Sequence, residues 1–446
     1  MGQGGLLLST VFPYTWQARA PGSSEQEKGQ VTLVELGLQG RTREELAVLV
    51  PEYLLAGHLI DRAGMPHLIA AFGRDEMRDI AIEEWMGASP IYTKRMQQAL
   101  DFEGDSVETI FKGLQLDIGA PPQFMDFRYR LIDHDRGEFW LDHCGALMDV
   151  EPMGSEYVVA MCHDIEDPTF DATAIATNPY AQVRPIHRPP RVPADRVPVC
   201  HWRVTIDAGH DALPVPVEAE VMARTRAATV ALTPIDPADP GQHDYSGPLL
   251  ADLRFSEWSR SALLRIAEEA CLQGHLLALS GALATRARAD ADQQAFELVR
   301  KQFTGVAGVA AERIRLALGL GPSIDDAAQL LRLHPALLPD AYVGCDVQHS
   351  DRLLVQFDSD SGAEHDRAWT YLLDAEHLRP LNAIVHAVNP RFRCEAMTED
   401  QGGLTVEVVV GDVEAPVAEE VLLTRFSTGT TFVFEDRGTP VEIRRS

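Results

Sequence analysis

A change in the spacing of apolar residues constrains the fold of this chain more than any other feature. From Pro66 to about Leu100, apolar side chains keep mostly to helical spacing, with charged residues between them. From Phe127 the spacing changes to alternation, which runs to Leu131 and resumes at Phe139. Helical segments followed by alternating ones are typical of proteins that combine helices with antiparallel sheet. The expected fold class is therefore α+β, a helical lead followed by antiparallel sheet.

The local patterns predict individual elements. Residues 127–131 and 139–144 flank a turn and indicate a β-hairpin, and Cys200–Ile206 indicates a further strand. The stretch 155–167 has strand-like composition, but a helix places Cys162 and Glu166 on one face, and we predict a helix. Upstream, a capping box at Thr42 predicts a helix that ends near Pro51.

Two proline-rich segments organise the chain. Residues 184–198 exclude a regular helix or a central strand, since proline lacks the backbone donor. Residues 233–248 are polar and rich in turn formers, which favours an interdomain linker. The predicted organisation is an N-terminal helical lead at 1–65, a domain with the Cys/His cluster at 66–232, the linker at 233–248 and a second α+β domain at 249–446.

The second half repeats the plan of the first. Helical spacing from Phe255 to about Leu333 precedes expected strands and a turn near His349, as in the first hairpin. A strand ending at Cys394 resembles the Cys200 strand, so we expect a duplication in which the second copy kept this cysteine alone. Three C-terminal strands are also expected, at 404–410, 421–426 and 431–434.

Charge and composition limit the partners. The formal net charge of -28 argues against nucleic acid or an anionic membrane, because both need a cationic surface. A small-molecule ligand is the favoured partner, and the acidic surface is compatible with a homodimer. The N-terminus lacks the basic region of a signal peptide and no segment is apolar enough to span a bilayer. We expect a cytoplasmic protein with reduced cysteines.

Three of the six cysteines are adjacent to a histidine, and this is the main chemical signal of the sequence. Thiolate and imidazole bind borderline-soft metals and also act as nucleophile and base at neutral pH. Neighbours on a strand point to opposite faces, so only part of this cluster can form one site. The three adjacent pairs are His143-Cys144, Cys162-His163 and Cys200-His201.

Residues 66–207 resemble the L-2-amino-thiazoline-4-carboxylic acid hydrolase family. The resemblance lies in a hairpin that ends in a cysteine, a second cysteine followed by acidic residues, and a third that opens an aromatic strand. It implies an α+β domain and hydrolytic opening of a heterocyclic C–N or C–S linkage. The insert at 184–198 and the acidic C-terminal half depart from the family pattern. The matching positions are Cys144, Cys162, Asp164 and Cys200.

These observations lead to a hypothesis of a hydrolase for a small heterocyclic or amide-like substrate. The expected metal is zinc or iron, held with one open position by ligands drawn from Cys144, Cys162, Cys200 and His163. No nucleotide cofactor is expected, because the sequence has neither a phosphate loop nor a dinucleotide fingerprint. The catalytic candidates are Cys162, His163, Asp164 and Glu166, and the substrate-binding candidates are His143, His187 and Trp202.

Other interpretations stay open. In a metal-free variant Cys162 is the nucleophile, with His163 or His187 as its base. A binding or sensory protein would use the same helix-and-sheet pocket without turnover, and a partner-binding scaffold would use the thiols for structure only. Cys200 shares a strand face with Trp202, as a small buried hydrophobe would.

Overall fold

The computed structural model describes residues 37–400 and 403–426, and it confirms an α+β fold in two halves. Each half has helices and one four-stranded antiparallel sheet. The strands are β1 (Met125–Leu131), β2 (Arg136–Cys144), β3 (Ala181–His187), β4 (Cys200–Ile206), β5 (Cys345–His349), β6 (Leu353–Asp358), β7 (Phe392–Asp400) and β8 (Gly403–Val410). The helices are α1 (Arg43–Phe72), α2 (Arg74–Ala99), α3 (Val107–Leu114), α4 (Gly145–Val150), α5 (Ser155–Val159), α6 (Glu166–Ile175), α7 (Val217–Met222), α8 (Arg226–Thr229), α9 (Arg260–Arg288), α10 (Asp292–Ala317), α11 (Ile324–Arg332), α12 (Asp340–Val343), α13 (Gly362–His365), α14 (Arg379–His386) and α15 (Glu419–Arg425).

Helix α1 begins at the predicted capping box but does not end near Pro51, so that prediction is wrong. The Thr42 side chain accepts from the Glu45 backbone while the Glu45 carboxylate accepts from the Thr42 backbone. The helix continues through Pro51 to Phe72. Proline removes one helical hydrogen bond, but Tyr53 and its neighbours in the next turn are fully buried, and this burial outweighs the loss. The helix is therefore continuous across residues 65 and 66.

The first sheet has the strand order β1-β2-β4-β3. The predicted hairpin is confirmed as β1 and β2, in which Tyr129 lies opposite Phe139. The predicted strand Cys200–Ile206 is confirmed as β4. Strand β3 contains Pro185 and lies at the sheet edge, where a missing backbone donor is tolerated.

The stretch predicted as helix at 155–167 is helical. Helix α5 passes through a π-helical turn, Ala160–Ile165, into α6 without interruption. The π turn adds a residue to the helical repeat and so changes the direction in which the following side chains point.

The main elements of the two halves follow in the same order, three helices, two strands, further helices and two strands, although α12 has no counterpart in the first half. The second sheet has the order β5-β6-β8-β7, which matches that of the first. Helix α9 pairs with α1 in this comparison, α10 with α2, and α11 with α3. The N-caps of the first and third pairs are also alike, since Thr42 corresponds to Ser259 and Ser106 to Ser323.

Two expectations for the second half need correction. Cys394 lies on β7, which takes the place of β3, whereas Cys200 lies on β4. The segment expected as a strand at 421–426 belongs to helix α15. There Val421 and Thr424 pack against Gly308 and Gly305 of α10, and this docking favours helix over the strand-like composition. The expected strand at 431–434 lies outside the described residues.

The halves meet where α1 crosses α9. A Cβ atom added to Gly274 would lie 3.6 Å from the Cα atom of Gly57, so the two helix backbones approach closely at these glycines. One hydrophobic core extends through both halves. The segment 233–248 packs onto it, with Thr233 bonded to Glu268 and Tyr245 buried. Within the described ranges, none of the helices has the length and apolar character that a membrane crossing requires.

Candidate functional site

A cavity with an empty volume of about 790 Å³ lies in the first half, between α1, α2 and the inner face of the first sheet. The walls are mostly apolar or aromatic, and they also contain the ionisable side chains of His58, Asp61, Asp117 and Glu166. The apolar and aromatic lining includes Trp85, Leu114, Met125, Phe127, Leu141, Met161 and Phe170.

His58 projects from α1 as a neutral base. Its Nδ1 donates to the carbonyl oxygen of Ile118 at 3.1 Å, so the lone pair is on Nε2. That Nε2 is buried and has no hydrogen-bond partner in the described part of the chain. Burial and then the charge of Arg62 lower the pKa of His58 to about 3. The rings of Trp85 and Phe124 lie against the imidazole, with centroid distances of 6.0 and 4.7 Å, and fix its orientation.

Asp61 and Arg62 follow on the same face of α1, because residues three and four positions apart are neighbours on a helix. Burial raises the pKa of Asp61, and a hydrogen bond with Trp85 opposes part of that rise. Burial and then the nearby Asp61 raise the pKa of Glu84 well above its ordinary value. Arg62 pairs with Asp149 at 2.5 Å and does not neutralise the two acids fully.

Asp117 closes another side of the cavity. Its Oδ1 accepts from the hydroxyl of Tyr92 at 2.8 Å and from the backbone nitrogen of Gly119 at 2.6 Å. Burial raises the pKa of Asp117 to about 6, although these two hydrogen bonds favour the charged form. The carboxylate is therefore fixed in place and mostly ionised at neutral pH.

Glu166 faces the cavity from the start of α6, directly after the π-helical turn. Its Oε2 atom is buried without a hydrogen-bond partner in the described ranges. Burial raises the pKa of Glu166 to about 8, and Arg188 opposes this rise. At neutral pH the carboxyl group is protonated and can donate. His58 and Glu166 thus have pKa values displaced in opposite directions, a pattern associated with acid–base assignments in enzymes.

The structure brings together the three thiols singled out in the sequence. Cys200 lines the cavity, and Cys144 and Cys162 lie close enough to interact with Glu166. Burial and Glu166 raise the pKa of Cys144 to about 12, and they raise the pKa values of Cys162 and Cys200 as well. All three groups are therefore thiols at neutral pH, and Cys144 also accepts from the backbone nitrogen of Leu147 at 3.4 Å.

We expect these thiols to be almost inert in the folded protein. Because the thiolate is the reactive form, modification by a disulfide reagent at pH 7 should be at least about 100-fold slower before unfolding than after it. Mass spectrometry of the modified protein would identify which of Cys144, Cys162 and Cys200 reacted. Rapid labelling of Cys162 without denaturant would contradict the geometry and support its nucleophilic role.

The other candidates from the sequence are dispersed. The Nε2 of His163 donates to the Pro189 carbonyl at 2.7 Å, and Asp164 is at the surface, 3.7 Å from Arg78. Trp202 is fully buried and stacks on Phe139 in the core. None of the three lines the cavity. His143 and His187 are also outside the cavity wall, and His187 lies beside His201 on the other face of the sheet.

Among residues 37–400 and 403–426, no group of three or more His, Cys, Asp or Glu side chains has the arrangement of a metal site. The three thiols with His163 do not fit a zinc or iron centre as placed, since the His163 ring is bonded to Pro189. The metal expected from the sequence stays a prediction.

A second cavity, with an empty volume of about 360 Å³, lies between α1, α9 and α10 where the halves meet, and the part of its wall from the second half is the counterpart of the first cavity. His275 lines it and occupies the position of His58 relative to the N-cap of its helix, as Phe303 does for Trp85. The polar residues are replaced, however. By the same comparison, the positions of Asp61, Arg62, Tyr92 and Asp117 are taken by Ala278, Leu279, Ala310 and His334.

The histidines of this counterpart are fully engaged with the backbone. The Nε2 of His275 donates to the Leu338 carbonyl at 2.8 Å, and Pro335, the counterpart of Ile118, also bonds to its ring. His334 donates to Ala307 at 3.0 Å and accepts from Ala336 at 3.2 Å. Only the first-half cavity keeps an unpartnered imidazole nitrogen among ionisable groups, within the part of the chain that the structure describes.

Of the three ionisable residues used below, the sequence analysis found only Glu166 and missed His58 and Asp61, and it also missed Asp117 in the cavity wall. A usable signal was present. The segment Leu-Ala-Gly-His-Leu that contains His58 recurs as Leu-Gln-Gly-His-Leu around His275. Aligning the halves on these two segments exposes the acids that are present in only one of them. Comparison with family models, with curated proteins and with solved structures finds no match to this chain.

Proposed function

We propose that the protein is a hydrolase for small heterocyclic or amide-like molecules and that the reaction takes place in the first-half cavity. The observation that carries the proposal is the convergence of an unpartnered neutral imidazole, His58, with a protonated carboxyl group, Glu166, in a mostly apolar cavity. Such a cavity with a few ionisable groups of displaced pKa is the usual form of an acid–base active site.

The residues have distinct roles in this proposal. Asp61 takes a proton from a water molecule, and the resulting hydroxide adds to the carbon of the scissile C–N bond. As the bond breaks, Glu166 gives its proton to the leaving nitrogen. The proton on Asp61 then returns through solvent and restores Glu166, so the cycle needs no other reactant. His58 positions the water by accepting a hydrogen bond at Nε2, because its low pKa makes it a weak base.

The comparison between the two halves supports this assignment. We infer that they arose by duplication, and the second copy kept the histidine and the glycine before it but lost the acids at the positions of Asp61 and Asp117. The aliphatic replacements Ala278 and Leu279 show that the fold does not need charged groups there. Buried acids lower stability, so their presence in the first half favours a chemical role.

Of the catalytic residues predicted from the sequence, this proposal retains only Glu166. His58 and Asp61 replace Cys162, His163 and Asp164, and Cys200 contributes to the lining as a protonated thiol. The resemblance to the thiazoline-carboxylate hydrolases remains an argument for the reaction type, since their proposed reaction also opens a heterocyclic C–N or C–S linkage.

A screen of lactams, thiazolines and related cyclic amides would test the proposal through its pH dependence. Activity should fall at low pH as Asp61 gains a proton, and it should fall again above about pH 8 as Glu166 loses one. Asp61→Asn and Glu166→Gln should each reduce kcat by about 100-fold or more. Asp164→Asn is the matched control and should leave the rate unchanged.

The mostly apolar lining also favours a second candidate, a binding protein without turnover. It predicts that compounds from the same screen raise the melting temperature while their concentration stays constant over time. Binding that survives Asp61→Asn and Glu166→Gln, with no product at any pH, would replace the hydrolase proposal by this one.

A further inference from the structure

A 3₁₀ turn precedes the first long helix of each half. Leu38–Gly40 ends two positions before the N-cap of α1, and Phe255–Glu257 ends two positions before the N-cap of α9. The first residue of each turn, Leu38 or Phe255, is apolar and buried. The similarity of the two halves therefore extends upstream of their helices.

The two turns are held by reciprocal contacts. Arg43 of α1 donates to the carbonyl oxygen of Ser256, and Arg260 of α9 donates to that of Gln39. Each arginine is the first residue of its helix, and each carbonyl belongs to the middle residue of the opposite turn. The starts of the two halves are thus bonded to each other in equivalent ways.

The segment before the second turn binds the first half. The Gln115 side chain, directly after α3, donates to the carbonyl oxygen of Leu250 at 2.7 Å. The Asp252 carboxylate lies 3.8 Å from Arg128 on β1, which is an edge strand of the first sheet. Residues 250–253 therefore occupy a groove between α3 and this edge strand.

The sequence before the first turn has the same pattern. Counted back from the two N-caps, residues 33–36, Leu-Val-Glu-Leu, correspond to residues 250–253, Leu-Ala-Asp-Leu. Both segments begin and end with leucine and have an acid at the third position. Residues 33–36 come directly before the described part of the chain, which starts at Gly37.

The second half has an equivalent groove between α11 and β5, an edge strand of the second sheet, with an empty volume of about 1070 Å³. Arg332 lines this groove nine positions after its N-cap, as Gln115 follows its own. The Nε of Arg332 donates to the Val347 carbonyl at 3.0 Å, but its buried Nη2 has no hydrogen-bond partner in the described ranges. The chain enters the groove at Gly37 and Leu38.

We infer that the groove between α11 and β5 binds residues 33–36 of the same chain, with the Leu33 carbonyl oxygen accepting from Arg332. The matching segment 250–253 fills the equivalent groove of the first half, and its Leu250 carbonyl is bonded in this way. An acceptor at this place also removes the cost of an unpaired buried donor.

The walls of the groove fit this occupant. Leu331, Leu337 and Val347 supply apolar surface for the two leucines. The segment that leads into each half then lies beside the edge strand of the other half. This arrangement hinders pairing of an exposed edge with another chain. The inference does not depend on the proposed hydrolysis.

Modification of Cys345 by a maleimide would test the inference, because this partly exposed cysteine lines the groove. Leu36→Asp should release the segment, since a carboxylate is costly to bury against apolar side chains. Labelling of Cys345 in the whole folded chain at pH 7, located by mass spectrometry, should then become about tenfold faster. Leu7→Asp changes an apolar residue outside the matching pattern and should leave the rate unchanged.

A second variant keeps the test decisive if Leu36→Asp fails to fold, which circular dichroism would show. Leu36→Ala should then accelerate labelling of Cys345, whereas Leu7→Ala should not. Equal rates in the Leu36 variants, the Leu7 variants and the unaltered protein would overturn the inference. Faster labelling of the unaltered protein on dilution would also overturn it, because the segment in the groove would then come from a second copy.

Discussion

Replacing Glu166 by Gln is expected to stabilise the protein at neutral pH while it abolishes the proposed activity. A carboxyl group whose pKa is raised by folding makes its full contribution to the stability of the folded protein below its unfolded-state pKa. This contribution is lost as the pH rises through its folded-state pKa. For Glu166 that window runs from the ordinary 4.5 to about 8. One pKa unit corresponds to about 1.4 kcal/mol, so at pH 7 the Glu166 carboxyl group lowers the free energy of unfolding by about 3 kcal/mol. Partial solvent contact reduces this loss to about 2 kcal/mol.

Urea unfolding at pH 4 and at pH 7 would measure this effect. The variant and the unaltered protein should have equal free energies of unfolding at pH 4. As the pH rises to 7, the variant should become increasingly more stable than the unaltered protein. Asp164→Asn removes an exposed acid two positions away and should change the free energy of unfolding by less than about 0.5 kcal/mol. An equal or lower stability of Glu166→Gln at pH 7 would mean that Glu166 is not held in its neutral form.

The second large effect is expected from Gly57→Val. A Cβ atom at residue 57 would lie 2.5 Å from the Cγ2 of Ile118, closer than packed carbon atoms approach. The branched side chain must displace Ile118, whose carbonyl holds the Nδ1 of His58. Overpacking of this kind costs about 2–3 kcal/mol. The displacement should also break the bond from Nδ1 to the Ile118 carbonyl, which opposes part of the lowering by burial, so the pKa of His58 should fall further below its ordinary value.

Gly113→Ala is the control for this substitution. Gly113 is also helical, but its added Cβ atom would meet Thr93 at an ordinary 3.5 Å. The better helix propensity of alanine should stabilise that variant by about 0.5–1 kcal/mol. Chemical unfolding of both variants, with an NMR titration of His58, would separate the two effects. A stable Gly57→Val protein with an unchanged His58 would show that the helix adapts without moving Ile118.

The sequence predicted the class of fold and much of the first sheet because local signals decide these features. Alternation sufficed for the hairpin that ends at Cys144 and for the Cys200 strand, and a capping box located the start of α1. It did not reveal where α1 ends, because the packing of Tyr53 outweighs Pro51. Strand-like composition at 421–426 was misleading for a similar reason, since the glycines of α10 admit a helix there.

The candidate site was harder to foresee than the fold. Cys144, Cys162 and either Cys200 or His163 were expected to hold a metal ion; the three thiols are near Glu166, and their role as ligands stays a prediction. Their burial, which keeps them protonated, arises from residues distant in the sequence and has no local signature. His58 has ordinary helical neighbours, and its significance depends on Ile118 and on an empty space that only the tertiary structure forms.

Joining two similar halves in one polypeptide has a genetic consequence. In a symmetric dimer of identical subunits, every substitution alters both sites, so a costly acid cannot be kept at one site and discarded at the other. In a single chain the positions of Asp61 and Ala278 are separate codons and can diverge. The close approach of the helices at Gly57 and Gly274 constrains both halves, whereas selection can act on the two cavities separately. One half can then lose its ionisable cavity residues and serve a structural role. The other half retains the buried acids, which lower the stability of the protein.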